Sequence, residues 1–164
     1  MSIRGLGGPT RLLINHAHEA MYGDPDLDVP VFVGQDDRGD TARSMRVAGV
    51  FTHRQMIDDD LEVIPTPGHT PGTTSYLWDH DNHRFLFTGD FIWIEDGEWK
   101  AAVLDPSLRA AYLNSLALVR ELGFDVLVPW GTSGEGPCYA LVDEQQRHTH
   151  VDKIIARVGA GSDH

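Results

Sequence analysis

The 164-residue length fits one domain with its own core and is short for two. The formal net charge of −12, with only 13 Lys and Arg residues, argues against nucleic-acid binding, because phosphate contacts rely on clustered basic side chains. No apolar run approaches the ~20 residues of a membrane helix, and the Gly-rich start Met1–Thr10 has no secretory signal, so we expect a cytoplasmic protein without membrane contacts.

Short apolar runs in the first half of the chain predict buried strands. The runs are Arg11–Asn15, Val29–Gly34 and Leu61–Thr66. Between the second and third runs, Asp40–Ala48 is predicted to form a short helix that ends at Gly49. Thr73–Trp78 and Arg84–Thr88 follow, joined by an Asp/Asn-rich turn, and they predict a hairpin.

The second half of the chain alternates strand and helix signals. The predicted elements are a hairpin over Ile92–Trp99, a helix over Pro106–Leu122, a strand over Asp125–Val128 and a helix over Val142–Val158. Asp105 and Gly123 supply the start and stop signals of the first helix. Because strands alternate with helices and no linker or repeat divides the chain, we predict an α/β fold in a single domain over residues 1–164.

Histidine and aspartate side chains follow three predicted strands at their C-terminal ends, where open α/β sheets tend to place ligand sites. His16 and His18 are two residues apart, and alternate side chains of an extended segment share a face, so both can point toward one ion. Two prolines and two glycines fix the loop around His69, and Asp90 ends the strand FTGD. Taken singly, each residue also fits a packing, surface or helix-capping role.

The order and spacing of HAH, TPGHTPG and FTGD resemble the metallo-β-lactamase superfamily over roughly Arg11–Ser133. The resemblance implies a four-layer αββα sandwich and a metal site formed by His16, His18, His69 and Asp90. One zinc ion with three histidine nitrogens, completed by Asp90 or water, would polarise a carbonyl and lower the pKa of water to about 7. Iron or manganese is the alternative metal. Asp90 is also assigned as a catalytic residue.

The chain departs from the family's metal-binding motifs at two places. The first motif usually reads HxHxDH, and Ala20 and Met21 stand where its carboxylate and third histidine are expected. Trp130 and Gly131 stand where the family commonly has a Pro-Gly-His-Gly type sequence with the last histidine ligand. The lost residues are those that bind a second ion, so we expect a single-metal site.

A third departure is that only about ten residues precede the first predicted strand, so the family's N-terminal strands are missing or shortened. An uncovered sheet face or edge is unfavourable, and we therefore expect a homodimer. Glu19 is not expected to replace a lost ligand. In an extended segment it would face away from His16 and His18, unless a loop turns it back.

Two functions are compatible with these motifs. The four remaining ligands favour a metal-dependent hydrolase of a small-molecule ester, thioester or lactone. The lost ligands favour a catalytically inactive, metal-free binding or interaction protein, in which the same residues pack and fix loops. Metal-dependent redox chemistry is a third reading, supported only by the single-site pattern. Trp93, Trp99 and Trp130 are interpreted as core residues, with an apolar substrate pocket as the alternative.

Overall fold

The computed structural model describes residues 5, 7–24, 26–134 and 136–164. The segment Met1–Thr10, on which the cytoplasmic expectation rests, falls partly outside the described residues. The strands are β1 Leu12–Leu13, β2 Val31–Gly34, β3 Val47–Phe51, β4 Gln55–Met56, β5 Leu61–Pro65, β6 Thr74–His80, β7 His83–Gly89, β8 Trp93–Glu95, β9 Glu98–Lys100, β10 Val126–Pro129, β11 Thr132–Ser133 and β12 Ala140–Leu141. The α-helices are α1 Arg38–Thr41, α2 Arg109–Glu121 and α3 Glu144–Gly159, and 3₁₀ turns cover Ala17–Tyr22, Gln35–Asp37 and Pro106–Leu108.

The strands form three sheets within the described residues. The first is a parallel sheet in the order β1-β2-β3, and the second is a six-stranded mixed sheet in the order β12-β10-β7-β6-β5-β4. A small third sheet joins β11, β8 and β9. The C-terminal ends of β1 and β7 and the loop after β5 carry the residues that the sequence singled out.

Side-chain alternation along the strands builds a four-layer αββα sandwich. On β2, Val31 and Val33 pack into a cluster on one face of the first sheet, while Phe32 packs with the cluster between the two main sheets. On β6, Tyr76 belongs to that middle cluster and Leu77 belongs to the large core beneath α2 and α3. The apolar residues of each strand therefore face both ways, as expected of sheets covered on both faces.

The hairpins and long helices are confirmed, with small shifts at their ends. Asp81 and Asn82 have φ of 49° and 65°, and this left-handed pair makes the tight turn between β6 and β7. Asp105 caps the first turn before α2 by accepting from the Ser107 amide. Asp143 forms a capping box with Gln146 at the start of α3. No helix in the described part of the chain combines the length and apolar character needed to cross a bilayer.

The helix predicted over Asp40–Ala48 is wrong. The helical turns come earlier, ending with α1, and Val47–Phe51 forms β3 instead. Gly49 therefore lies inside a strand and does not end a helix. A Cβ atom at this position would lie 2.6 Å from Cε1 of Phe32, so the glycine makes room for that ring.

Candidate metal centre

The structure brings His16, His18 and His69 together, and these three residues are called the histidine cluster below. One ligand atom from each lies within 4.8 Å of the others. His16 follows β1 in an extended conformation, whereas His18 lies in the 3₁₀ turn Ala17–Tyr22. The expectation of an extended HAH segment is therefore wrong beyond His16, although both side chains still reach the same point.

Asp90 lies at the edge of the histidine cluster, directly after β7. Its Oδ2 atom is 3.4 Å from His16 Nε2 and 3.9 Å from His69 Nε2. The preceding residue, Gly89, has φ of 56°, and a Cβ there would lie 2.6 Å from the Cβ of Asn15. Glycine thus lets the end of β7 approach the histidine loop closely enough for the carboxylate to face it.

Two of the distances between ligand atoms at the cluster are close to those of a tetrahedral metal site. Two ligands held at roughly 2.0–2.1 Å from zinc in a tetrahedron lie about 3.3 Å apart. His18 Nδ1 is 3.2 Å from His69 Nε2, and His16 Nε2 is 3.4 Å from Asp90 Oδ2. Both ring nitrogens of His16 are buried, and each lies 3.4 Å from a carboxylate oxygen, Nδ1 from Glu19 and Nε2 from Asp90, so a cation between Nε2 and Asp90 would satisfy both groups. These residues could therefore hold one metal ion.

A backbone contact fixes the orientation of His69. Its Nδ1 atom lies 2.9 Å from the carbonyl oxygen of Ala102 and donates to it, which leaves the Nε2 lone pair facing the cluster. The Ala102 amide in turn donates to the hydroxyl of Tyr112 at 3.1 Å, and that hydroxyl donates to the carbonyl of Phe91. A buried side chain of α2 thereby positions a ligand that lies on another loop.

Glu19 is turned back toward the cluster, as the loop alternative allowed. The 3₁₀ turn places Glu19 Oε1 3.4 Å from His16 Nδ1, and its Oε2 accepts from the Asn15 amide at 2.9 Å. Glu19 therefore lies on the opposite side of the imidazole from Asp90. It is a second neighbour that orients His16 and not a substitute for the lost ligand.

Asp37 is a site residue that the sequence reasoning missed. It is buried and lies in the 3₁₀ turn after β2. Its carboxylate accepts from the Ala17 amide at 2.8 Å, from the Thr70 hydroxyl and from the Gly72 amide at 2.8 Å. It therefore joins the two loops that carry the histidine cluster. The signal that could have found it is its place three residues after a buried strand, because the other site residues also follow strands.

The charges of the cluster depend on the two carboxylates. Burial by itself lowers the pKa of His16, but hydrogen bonds and charge interactions with Asp90 and Glu19 outweigh burial and raise the pKa to about 9. Burial lowers the pKa of His69 and keeps it neutral. Burial opposes ionisation of Asp90, yet the neighbouring histidines hold the pKa of its carboxyl below the usual range. The carboxylates thus favour positive charge at this position.

The positions at which the second-ion ligands were expected carry apolar side chains. Ala20 is buried in the core, and Met21 is exposed. Trp130 is 49% exposed and lies with its ring centroid 6.1 Å from that of His16, so its interpretation as a core residue is wrong. Trp99 is buried, so its interpretation as a core residue is confirmed. Trp93 is half-buried.

Comparisons with known proteins agree with the fold and the motif order. The family model described as "Metallo-beta-lactamase superfamily" matches residues 13–131. Among solved structures, the chain is similar to MIM-2 metallo-β-lactamase, with 17% identity and a TM-score of 0.71, over 96% of this chain and 72% of that one. It is also similar to GOB-18 from Elizabethkingia meningoseptica, with 14% identity and a TM-score of 0.62, over 92% and 70% of the two chains.

A third similar structure is a metallo-β-lactamase from Staphylococcus aureus subsp. aureus COL, with 20% identity and a TM-score of 0.56, over 90% of this chain and 52% of that one. No curated protein sequence matches the chain significantly. The chain belongs to the metallo-β-lactamase superfamily. These likenesses support the αββα fold, and the geometry of the histidine cluster supports its capacity to bind a metal.

Proposed function

We propose that the protein is a metal-dependent hydrolase of small ester, thioester or lactone substrates, with one metal ion held by the histidine cluster and a fourth ligand that is either Asp90 or water. The observation that carries the proposal is the convergence of three histidine ligand atoms within 4.8 Å, with Nε2 of the buried His16 facing the Asp90 carboxylate. Zinc suits three nitrogen ligands with one open position, and iron or manganese is the alternative. A bound ion would polarise the carbonyl group and make water more acidic.

Asp90 is the residue placed to move a proton. Its Oδ2 atom faces His16 and His69, and even a Cβ on Gly131 would come no closer than 3.9 Å to Oδ1, so the Gly131 side leaves this oxygen uncrowded. Its lowered pKa makes it an ionised acceptor at neutral pH. In hydrolysis, water adds to the carbonyl carbon, Asp90 accepts its proton, and the proton passes to the leaving oxygen or sulfur as that bond breaks.

Metal analysis with a matched variant tests the proposal. Protein purified without chelator is expected to contain about one zinc per chain, and His69→Ala is expected to lose it, while His53→Ala, at an exposed position, retains it. Turnover on a panel of thioesters and lactones should disappear with a chelator and return with zinc. A metal content near zero, with His69→Ala as stable as the parent, would refute the proposal. Iron and manganese are measured in the same samples.

The second candidate is a catalytically inactive binding protein of the same fold. It is favoured by the apolar residues Ala20, Met21 and Trp130, which stand where second-ion ligands were expected. This candidate requires the histidines and Asp90 to serve packing and loop geometry alone. Saturable turnover on any member of the substrate panel would exclude it.

The homodimer and the cytoplasmic location stay predictions. An apolar hollow of about 310 Å³ between the sheets, lined by Leu13, Leu61, Tyr76, Trp78 and Phe87 with Asn15, supports the expectation of a covering subunit. Light scattering at micromolar concentration is expected to give the mass of two chains. A monodisperse monomer would remove the dimer prediction.

A further inference from the structure

Two exposed aromatic side chains adjoin the histidine cluster, and they are called the aromatic shelf below. The shelf consists of Tyr22, at the end of the 3₁₀ turn that carries His18, and Trp130, directly after β10. Their ring centroids are 5.7 Å apart with an interplanar angle of 65°. Trp130 also meets the edge of His16 at 6.1 Å. The shelf is thus continuous with the candidate metal centre.

The shelf keeps its ring surfaces in solvent. Tyr22 is 73% exposed, Trp130 is 49% exposed, and the neighbouring Met21 is 72% exposed. Large apolar side chains at adjacent exposed positions cost solubility, and clusters of them mark binding sites more often than single ones do. Because Tyr22 and Trp130 meet edge to face, neither ring covers the other, and a further planar group can pack against them.

The backbone of Trp130 holds the shelf at a defined distance from the cluster. Its amide donates to the Gly89 carbonyl at 3.2 Å, directly before Asp90. Tyr22 belongs to the same 3₁₀ turn as His18 and Glu19. Both shelf residues are therefore one short connection away from residues of the candidate centre, and a group bound on the shelf lies beside a carbonyl placed at the histidines.

The charges around the cluster select against an anionic ligand. Within the described part of the chain, the ion pairs of Glu19 and Asp90 are formed with His16 and His69 and with no Lys or Arg side chain. The two carboxylates would balance the two positive charges of one zinc ion, so the occupied centre has no excess positive charge and no paired basic side chain to bind a ligand carboxylate. The net charge of −12 acts in the same direction.

We infer that the aromatic shelf binds the planar apolar group of a neutral substrate whose carbonyl lies at the histidine cluster, so that the substrates are neutral aryl or similarly flat esters, thioesters or lactones. The inference rests on the proposed metal-dependent hydrolysis. It assigns Tyr22 and Trp130 to substrate specificity.

Two zinc-chelating probes test the inference on the zinc-loaded full chain. Acetohydroxamic acid reports the metal centre alone, and benzohydroxamic acid adds a phenyl ring. The two probes differ in how strongly they chelate zinc, and this difference is the same in every variant. The ratio of their dissociation constants is therefore compared among variants, so that only the contribution of the phenyl ring changes. Trp130→Ala is expected to reduce the preference for the phenyl probe about fivefold, within the range of aromatic pair energies.

The controls separate packing from recognition. Trp130→Phe keeps a ring and is expected to retain most of the preference. Tyr139→Ala removes another exposed tyrosine, one with no ring contact to the histidine cluster, and should leave the preference unchanged. 4-Carboxybenzohydroxamic acid is expected to bind more weakly than benzohydroxamic acid. Tighter binding of this charged probe would overturn the assignment to neutral substrates.

The outcomes distinguish this inference from the proposed function. If acetohydroxamic acid binds but the phenyl ring adds the same amount in the parent and in Trp130→Ala, the shelf is not a binding site and the metal centre stands. If the protein retains no zinc and binds neither probe, the proposed function fails, and the inference fails with it.

Discussion

Glu19 Oε1 lies 3.4 Å from Nδ1 of His16, on the opposite side of the imidazole from Asp90. A histidine held between a carboxylate and a ligand position is oriented with its free nitrogen toward the metal. Glu19→Gln removes the charge and keeps the shape, so we expect zinc affinity to fall about tenfold. Titration with a competing chelator measures the change. Glu144→Gln, at an exposed position on α3, is the control and should bind zinc like the parent.

Asp37 joins the two ligand loops, and its neutral variant tests that role. Asp37→Asn replaces one carboxylate oxygen with an NH₂ group, although the Ala17 amide, the Thr70 hydroxyl and the Gly72 amide all donate to this carboxylate. Leaving buried donors without an acceptor should lower the free energy of unfolding by about 3 kcal/mol and weaken zinc binding. The control is the adjacent, exposed Asp36→Asn, for which we expect a change within about 0.5 kcal/mol. Equal unfolding midpoints in urea for the two variants would contradict the assigned role of Asp37.

Tyr112 acts on His69 through the backbone of Ala102. Tyr112→Phe deletes the hydroxyl that accepts from the Ala102 amide and donates to Phe91. We expect a loss of about 1–3 kcal/mol in the free energy of unfolding, and lower zinc affinity because the Ala102 carbonyl then holds His69 less firmly. Denaturant unfolding and zinc titration give the two values. Tyr139→Phe, at an exposed position, should change neither, and a similar effect there would argue against the proposed relay.

Alanine variants at Gly89 and Gly97 distinguish the cost of backbone strain from the cost of steric contact. Both have positive φ, but a Cβ at Gly89 would lie 2.6 Å from the Cβ of Asn15, whereas a Cβ at Gly97 meets nothing within 4 Å. Alanine should cost about 1 kcal/mol at Gly97 from strain alone. At Gly89 we expect about 1–3 kcal/mol more from overpacking, together with weaker zinc binding because His16 is displaced. Equal losses in thermal unfolding would show that the contact with Asn15 is relieved at no cost.

Removal of the metal should lower thermal stability by an amount that grows with the logarithm of metal affinity. Zinc at one hundred times its dissociation constant stabilises the native state by about 2.7 kcal/mol, if the unfolded chain does not bind it. At this chain length the midpoint should rise by roughly 5–10 °C. Differential scanning calorimetry with and without chelator measures the shift. His69→Ala should show no shift, and an unchanged response in that variant would place the zinc elsewhere.

Elements with strong local signals are predictable from the amino-acid sequence. The two hairpins follow from Asp81-Asn82 and Asp96-Gly97, because these residues tolerate positive φ and so fix a tight turn. The long helices follow from apolar spacing, and the first of them also from the cap at Asp105. Each of these signals acts within a few residues, so they can be read without knowledge of the rest of the fold.

The motif order was also sufficient for the superfamily and for the three histidines that the structure brings together. Local helix signals were misleading over residues 40–51, where a helix was expected and β3 formed. Val47–Phe51 has no helical cap of its own, and its conformation is decided by pairing with β2 and by the Phe32 ring against Gly49. Pairing between strands that are distant in sequence overrides local preference.

The support of the candidate centre comes from contacts between segments that are far apart in the chain. Asp37, Tyr112 and Glu19 act through contacts across loops, and Asp37 and Thr70 are 33 positions apart in the chain. The exposure of Trp130 beside His16 likewise depends on where the end of β10 meets the first histidine loop. Residue type and spacing select the ligands, because coordination chemistry is local to a side chain. Their orientation depends on buried partners brought together by packing, which no short segment specifies.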